Sequence, residues 1–153
     1  MLSMEEGNAN ELTPGYKVRH TSCPYLGVRD GRLHVLGANT GVDTQPQGQL
    51  QQFLGVVEFG LNAQEAVSRP RWVSTAFPST AHPWGVGNQL RVQPGFTPTL
   101  LSMLQVKGHE IAIGEGTFGA ASMLIVNEDG TGADVGVEPG ISTSSGEVIQ
   151  AGG

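Results

Sequence analysis

Gly37-Ala38-Asn39-Thr40-Gly41-Val42-Asp43-Thr44-Gln45-Pro46-Gln47 joins an apolar run to a helical pattern, and its reading decides the fold. The run before it, Arg32-Leu33-His34-Val35-Leu36, alternates as a strand does. After it, from Gly48 to Glu58, Leu50, Phe53, Leu54 and Val57 fall at i, i+3, i+4 and i+7, one face of a helix. Burying those four side chains is expected to contribute roughly 1.5–3 kcal/mol each before conformational entropy is charged. A polar, glycine-bearing turn between a strand and a helix presents backbone N–H groups at the helix mouth, where an anion or a developing oxyanion is stabilised.

Working outward, Cys23-Pro24-Tyr25-Leu26-Gly27-Val28 and Arg32 to Leu36 flank Arg29-Asp30-Gly31, a hairpin signal because the turn needs positive φ. His34 alternates with Leu33 and Val35 and is expected on the opposite face, as a solvated or internally satisfied strand histidine. Gly60 supplies a stop for the first helix. Asn62 with Glu65 reads as a capping box that opens a short second helix, which Pro70 ends. Residues 72–89, with Trp72, Pro78, Pro83 and Trp84, read as an irregular crossing. Leu90-Arg91-Val92 follows as a short strand. Thr97-Pro98 opens a third helix with Leu100, Leu101 and Leu104 as its buried stripe and Gly108 as its end. Strands are expected at 111–113, 122–126 and 133–137. The fold class is therefore α/β, or α+β layered, with helices on one side of the sheet. Residues 1–15 read as a flexible lead-in, 16–138 as the domain and 139–153 as a Ser/Gly-rich flexible tail.

The composition excludes several functions. The 153 residues fit one domain. A formal net charge of −6 without a Lys/Arg run argues against nucleic acid as a partner. No apolar run approaches membrane-spanning length, and Met1-Leu2-Ser3-Met4-Glu5-Glu6 is acidic where a secretory signal is basic, so a cytoplasmic location is favoured and no membrane partner is expected. One cysteine makes no internal disulfide, and His20, His34, His82 and His109 lack ligand spacing, so neither a metal nor another cofactor is expected. Cys23 with His20 or His34 could form a nucleophile and base, but nothing local tunes the thiol. Gly114-Glu115-Gly116-Thr117-Phe118-Gly119 matches G-x-G-x-x-G, yet a strand rather than a helix is expected after it, so it reads as a glycine-rich connection.

Several anchors fall in one order: Asn10-Glu11-Leu12-Thr13-Pro14-Gly15, Ser22-Cys23-Pro24, Gly41 to Gln47, Glu58-Phe59-Gly60-Leu61-Asn62, and Gln64 to Arg71. With them, residues 7–137 resemble the C-terminal part of the small subunit of gamma-glutamyltransferases (gamma-glutamyltranspeptidases). The resemblance implies part of an N-terminal nucleophile hydrolase αββα sandwich, a small gamma-glutamyl-like amide substrate, and acyl transfer to water or an amino acceptor. It puts Gly41 and Val42 where a Gly-Gly pair forms the oxyanion hole, and His20 and Thr21 where a Ser-Ser pair contacts substrate. Val42 keeps an N–H but brings a β-branched side chain to the turn. The family's Thr-Thr-His start has no counterpart in Met1-Leu2-Ser3-Met4. The chain is thus expected to supply a substrate wall and oxyanion turn but no nucleophile, partnered by a large subunit or nucleophile-bearing chain, or by itself. A non-catalytic assembly module that kept the fold is the alternative.

Overall fold

The structure, a computed structural model, describes residues 3–17, 21–41, 44–76, 87, 89–114 and 118–138. The expected tail, 139–153, lies outside them. Ser3 N–H donates to the Asn10 carbonyl and Leu12 N–H to the Ser3 carbonyl, so the lead-in carries a local turn structure. Strands β1 (Tyr25–Arg29) and β2 (Arg32–Asn39) form the expected hairpin. Asp30 at φ 51° and Gly31 at φ 76° both take the left-handed conformation that matches the twist of paired strands. β2 runs on to Asn39, so the opening stretch divides into strand, a turn at 40–44, and helix α1 (Gln45–Val57). Pro46 sits in the first turn of α1, where its missing N–H costs nothing.

Helix α2 (Ala63–Ser68) has the full capping box: Asn62 Oδ1 accepts from Glu65 N–H at 2.8 Å, and Glu65 accepts from Asn62 N–H at 3.0 Å. Strand β3 (Trp72–Ser74) occupies the start of the region read as irregular. Three residues are too few for a periodic signal. Strand β4 (Gln89–Val92), helix α3 (Pro98–Val106) and strand β5 (Glu110–Ile113) make a parallel crossover, with Thr97 capping α3 through Leu100 N–H. Strands β6 (Ala121–Val126) and β7 (Ala133–Val137) follow. The strands form two sheets, β1-β2-β6-β7 and β3-β4-β5.

Helices α1 and α2 cover one face of the four-stranded sheet around Val35, Val56, Ala63, Ala66, Val67, Ala121 and Met123. Close approach depends on small residues. A Cβ at Gly136 would overlap the Ala63 carbonyl, and Asp134 accepts the Ala63 N–H at 2.7 Å at the mouth of α2.

Two expectations about buried faces are corrected. In α1 the buried positions are Gln45, Gly48, Gln52, Gly55 and Val56, whereas Leu50 is 53% and Leu54 37% exposed. Glycines at 48 and 55 let the backbone approach Asn39 and Ala66, so the helix seats on its smaller face. Of the expected stripe, Phe53 still packs against the core and Val57 is half-buried, while Leu50 and Leu54 turn outward. In α3 no residue is buried, and Leu100 is 41% exposed, because β5 alone among the strands packs closely against it.

The sheet face opposite α1 and α2 is apolar as well. Strand register aligns Leu26, Leu36, Leu124 and Val135 in one row across all four strands. Leu26 is 64% and Val135 55% exposed, and Leu36, Leu124 and Val135 line a shallow depression of about 360 Å³.

Candidate functional site

The described residues of the turn between β2 and α1 are Thr40, Gly41 and Thr44. Gly41 has φ 117°, a value L side chains rarely adopt, and a Cβ there would collide with Thr44 Oγ1. The Thr44 hydroxyl and N–H both donate to the Gly41 carbonyl, at 2.8 and 2.9 Å. Val42, the second residue assigned to the oxyanion hole, lies outside the described residues, as does His20.

A second loop braces the turn. Thr40 N–H donates to the Ala120 carbonyl at 2.8 Å, and Ala120 N–H donates to Thr40 Oγ1 at 2.7 Å. Gly119, at φ 72°, lies so close that a Cβ would penetrate the Thr40 carbonyl. β6 begins directly after this loop, so the G-x-G-x-x-G segment leads into a strand, as read, and offers no helix N-terminus for a pyrophosphate.

Arg71 holds the bracing loop. It is 2% exposed; Nη1 donates to the Phe118 carbonyl at 3.0 Å and Nη2 to the Gly119 carbonyl at 2.9 Å. Nη2 also pairs with Glu138, whose other carboxylate oxygen accepts the Ala121 N–H at 3.0 Å. A buried guanidinium needs this compensation of charge and hydrogen bonds. Sequence reasoning singled out neither residue for this work. Arg71 stood only within a family landmark, and Glu138 lies 67 positions away with no local pattern to mark it.

Thr21, the described member of the expected substrate pair, is brought beside the turn by the first residue of α1. Gln45 Nε2 donates to the Thr21 carbonyl at 3.0 Å, and Gln45 Oε1 accepts the Cys23 N–H at 3.2 Å. Thr21 and Gly41, 20 positions apart in sequence, thus sit at one end of α1. Cys23 is exposed and has no imidazole partner among the described residues. His34 is half-buried on the opposite sheet face from Val35, remote from the turn, with its Nε2 unpartnered. Among the described residues no cluster of three or more His, Cys, Asp or Glu side chains could hold a metal ion, and no helix is long and apolar enough to cross a membrane.

The gamma-glutamyltranspeptidase family model matches residues 1–143. The glutathione hydrolase-like YwrD proenzyme of Bacillus subtilis is 29% identical over 133 residues, covering 84% of this chain and 24% of the relative. The oxamate amidohydrolase proenzyme of Klebsiella pneumoniae is 31% identical over 114 residues, covering 73% of this chain and 20% of the relative. The chain therefore spans about a fifth to a quarter of the curated relatives' length. The cephalosporin acylase structure from Bacillus halodurans superimposes with TM-score 0.69 at 30% identity, over 90% of this chain and 24% of that one. The gamma-glutamyltranspeptidase of Pseudomonas nitroreducens, at 18% identity, shares the fold with TM-score 0.68 over 94% of this chain and 70% of that one. Mixed helices and sheets and these neighbours agree on an N-terminal nucleophile hydrolase-like α+β architecture. The chain belongs to the gamma-glutamyltranspeptidase family.

Proposed function

We propose that this chain supplies the substrate wall and oxyanion turn of a gamma-glutamyltranspeptidase-like amidohydrolase whose Thr nucleophile comes from a different segment or chain. The observation that carries the reading is the turn itself. Gly41 is held at a glycine-only φ beside Thr21, inside a frame that fixes both backbones before any substrate arrives. Preorganised donors of this kind stabilise the charge that develops on an amide carbonyl during acyl transfer. In this reading Gly41 and Val42 form the oxyanion turn, and His20 and Thr21 contact the acyl group. The substrate is a small amide of the gamma-glutamyl type or a related acyl amide.

The uncovered row Leu26-Leu36-Leu124-Val135 supports the partner half of the reading. A half-exposed apolar sheet face is what a sandwich leaves when its second sheet belongs to another segment. The same surface favours the alternative, an assembly module without catalysis, and self-association when the second sheet is lacking.

Two measurements separate these readings. Release of p-nitroaniline from gamma-glutamyl-p-nitroanilide and from a panel of acyl anilides is followed with the chain alone and with a chain bearing a Thr-Thr-His start. The expected result is no turnover alone and turnover on mixing. Turnover by the chain alone overturns the division of labour, and none with any partner favours the assembly module. Light scattering of the isolated chain is expected to show mass rising with concentration; a monodisperse monomer at high concentration argues against self-association.

A further inference from the structure

Gln45 is a polar residue at the first position of α1 and only 5% exposed. Its amide makes two bonds to one peptide segment, donating to the Thr21 carbonyl and accepting from the Cys23 N–H. Residues i and i+2 are the pair that one edge of an extended strand offers a neighbour, so the side chain pairs with the segment as an adjacent strand would. One turn further along α1, Gln49 Nε2 donates to the Cys23 carbonyl. These contacts reach backbone atoms, so they hold the segment whatever its side chains are. The turn at 40–44, by contrast, is closed by Thr40 with Ala120 and by Thr44 with Gly41, without Gln45.

We propose that Gln45 is a positioning residue that sets the substrate-facing segment 21–23 against the oxyanion turn, and so governs substrate binding separately from the stabilisation of charge. The inference rests on the functional reading above and adds a specific division of labour. Removing the Gln45 amide frees the Thr21 carbonyl and the Cys23 N–H, with Gln49 still on the Cys23 carbonyl, and leaves the turn intact. The segment loosens, so substrate affinity suffers while the chemical step is spared. Removing the turn's own brace does the reverse.

The experiment has two arms. On the isolated chain, amide exchange is read by NMR for wild type, Gln45→Met and Gln45→Glu. Exchange at Cys23 is expected to rise about tenfold in Gln45→Met, with Thr40 and Thr44 unchanged, for the loss of one modest net hydrogen bond. Gln45→Glu keeps the acceptor for Cys23 N–H and loses the donor to Thr21, so Cys23 is expected to stay closer to wild type. Unchanged exchange at Cys23 in Gln45→Met, or equal loosening at Thr40, overturns the proposal.

In the mixed two-chain enzyme, Gln45→Met is expected to raise KM about tenfold with kcat within about twofold, and Thr40→Val to lower kcat with the smaller effect on KM. Parallel loss of kcat and KM in both variants, or no change in Gln45→Met, also overturns it. A wild-type mixture without turnover defeats the enzymatic reading instead, and the exchange arm then decides whether Gln45 holds the segment.

Discussion

Arg71→Met is the sharpest test of how the turn is held. The substitution keeps a long apolar stem and removes a guanidinium that is 2% exposed. Three acceptors lose their donor: the Phe118 and Gly119 carbonyls and the Glu138 carboxylate. Glu138, whose side chain is 18% exposed, then keeps the Ala121 N–H but no cation. Breaking a buried pair by removing one member costs about 3–5 kcal/mol, because the surviving charge stays in a poorly hydrated place. Domain stability is about 5–15 kcal/mol, so this one change removes about a fifth or more of it from a typical domain.

Urea unfolding followed by circular dichroism at pH 7 measures the loss as a fall in midpoint at constant m-value. In thermal melts the same loss corresponds to a fall of about 6–20 °C, taking about 2–4 °C per kcal/mol for a domain of this size. Glu138→Gln and the double variant complete a cycle. Because Arg71 and Glu138 touch, the double variant is expected to cost less than the sum of the singles by about 0.5–3 kcal/mol. A cost below about 1 kcal/mol for Arg71→Met, or simple additivity with Glu138→Gln, refutes the view that the pair is the energetic anchor of the bracing loop.

Further outcomes follow from buried polar atoms and from φ. Gln52 is 1% exposed and neither amide atom has a hydrogen-bond partner, so Gln52→Met is expected to stabilise by about 1–2 kcal/mol; a lower urea midpoint would reveal a partner for the amide. Burial pushes the Tyr25 phenol up to about 12, against about 10 in an unfolded chain. Between those two pH values the unfolded chain has lost the proton and the folded chain retains it, so stability falls as pH rises through the window. Tyr25→Phe is expected to flatten that fall in urea midpoints compared at pH 9 and 11, and an unchanged slope would exclude Tyr25 as its source. Gly41→Ala forces a Cβ against Thr44 Oγ1 at φ 117° and is expected to cost about 1–3 kcal/mol, read as a lower urea midpoint; a neutral result would mean the turn relaxes freely.

Local chemistry was legible where one or two residues decide a conformation. Asp30-Gly31 dictates its turn through positive φ, Asn62 with Glu65 closes its own capping box, and Thr97-Pro98 starts α3. The strand–turn–helix order around Gly41 was also readable, although β2 and α1 each extend further into the opening stretch than the periodicity suggests. The buried face of α1 was not readable. Periodicity reports which face is apolar, while seating depends on how closely backbones approach, and Gly48 and Gly55 decide that. Arg71 and Glu138 were missed for a different reason. Each meets its partners only through tertiary structure, across separations that no window of sequence spans.

The misplaced stripe on α1 carries information of its own. A surface helix normally buries its apolar face and shows its polar one to water. Here α1 packs Val56 and Phe53 on the core but also buries Gln45, Gly48 and Gln52 and exposes Leu50 and Leu54, while the four-stranded sheet leaves Leu26 and Val135 exposed on its far side. Apolar surface therefore remains on both outer layers. Buried Gln45 and Arg71, with the half-buried Glu138 paired to Arg71, spend their hydrogen bonds on backbone at Thr21, Cys23, Phe118, Gly119 and Ala121. In the proposed reading, apolar surface and buried polar groups serve different ends: further structure would cover the first, and the second fixes the site's backbone independently of that coverage. If that separation holds, substitutions on the Leu26-Leu36-Leu124-Val135 row will weaken association and leave the turn intact. Substitutions at Arg71 or Gln45 will loosen the site and leave association intact.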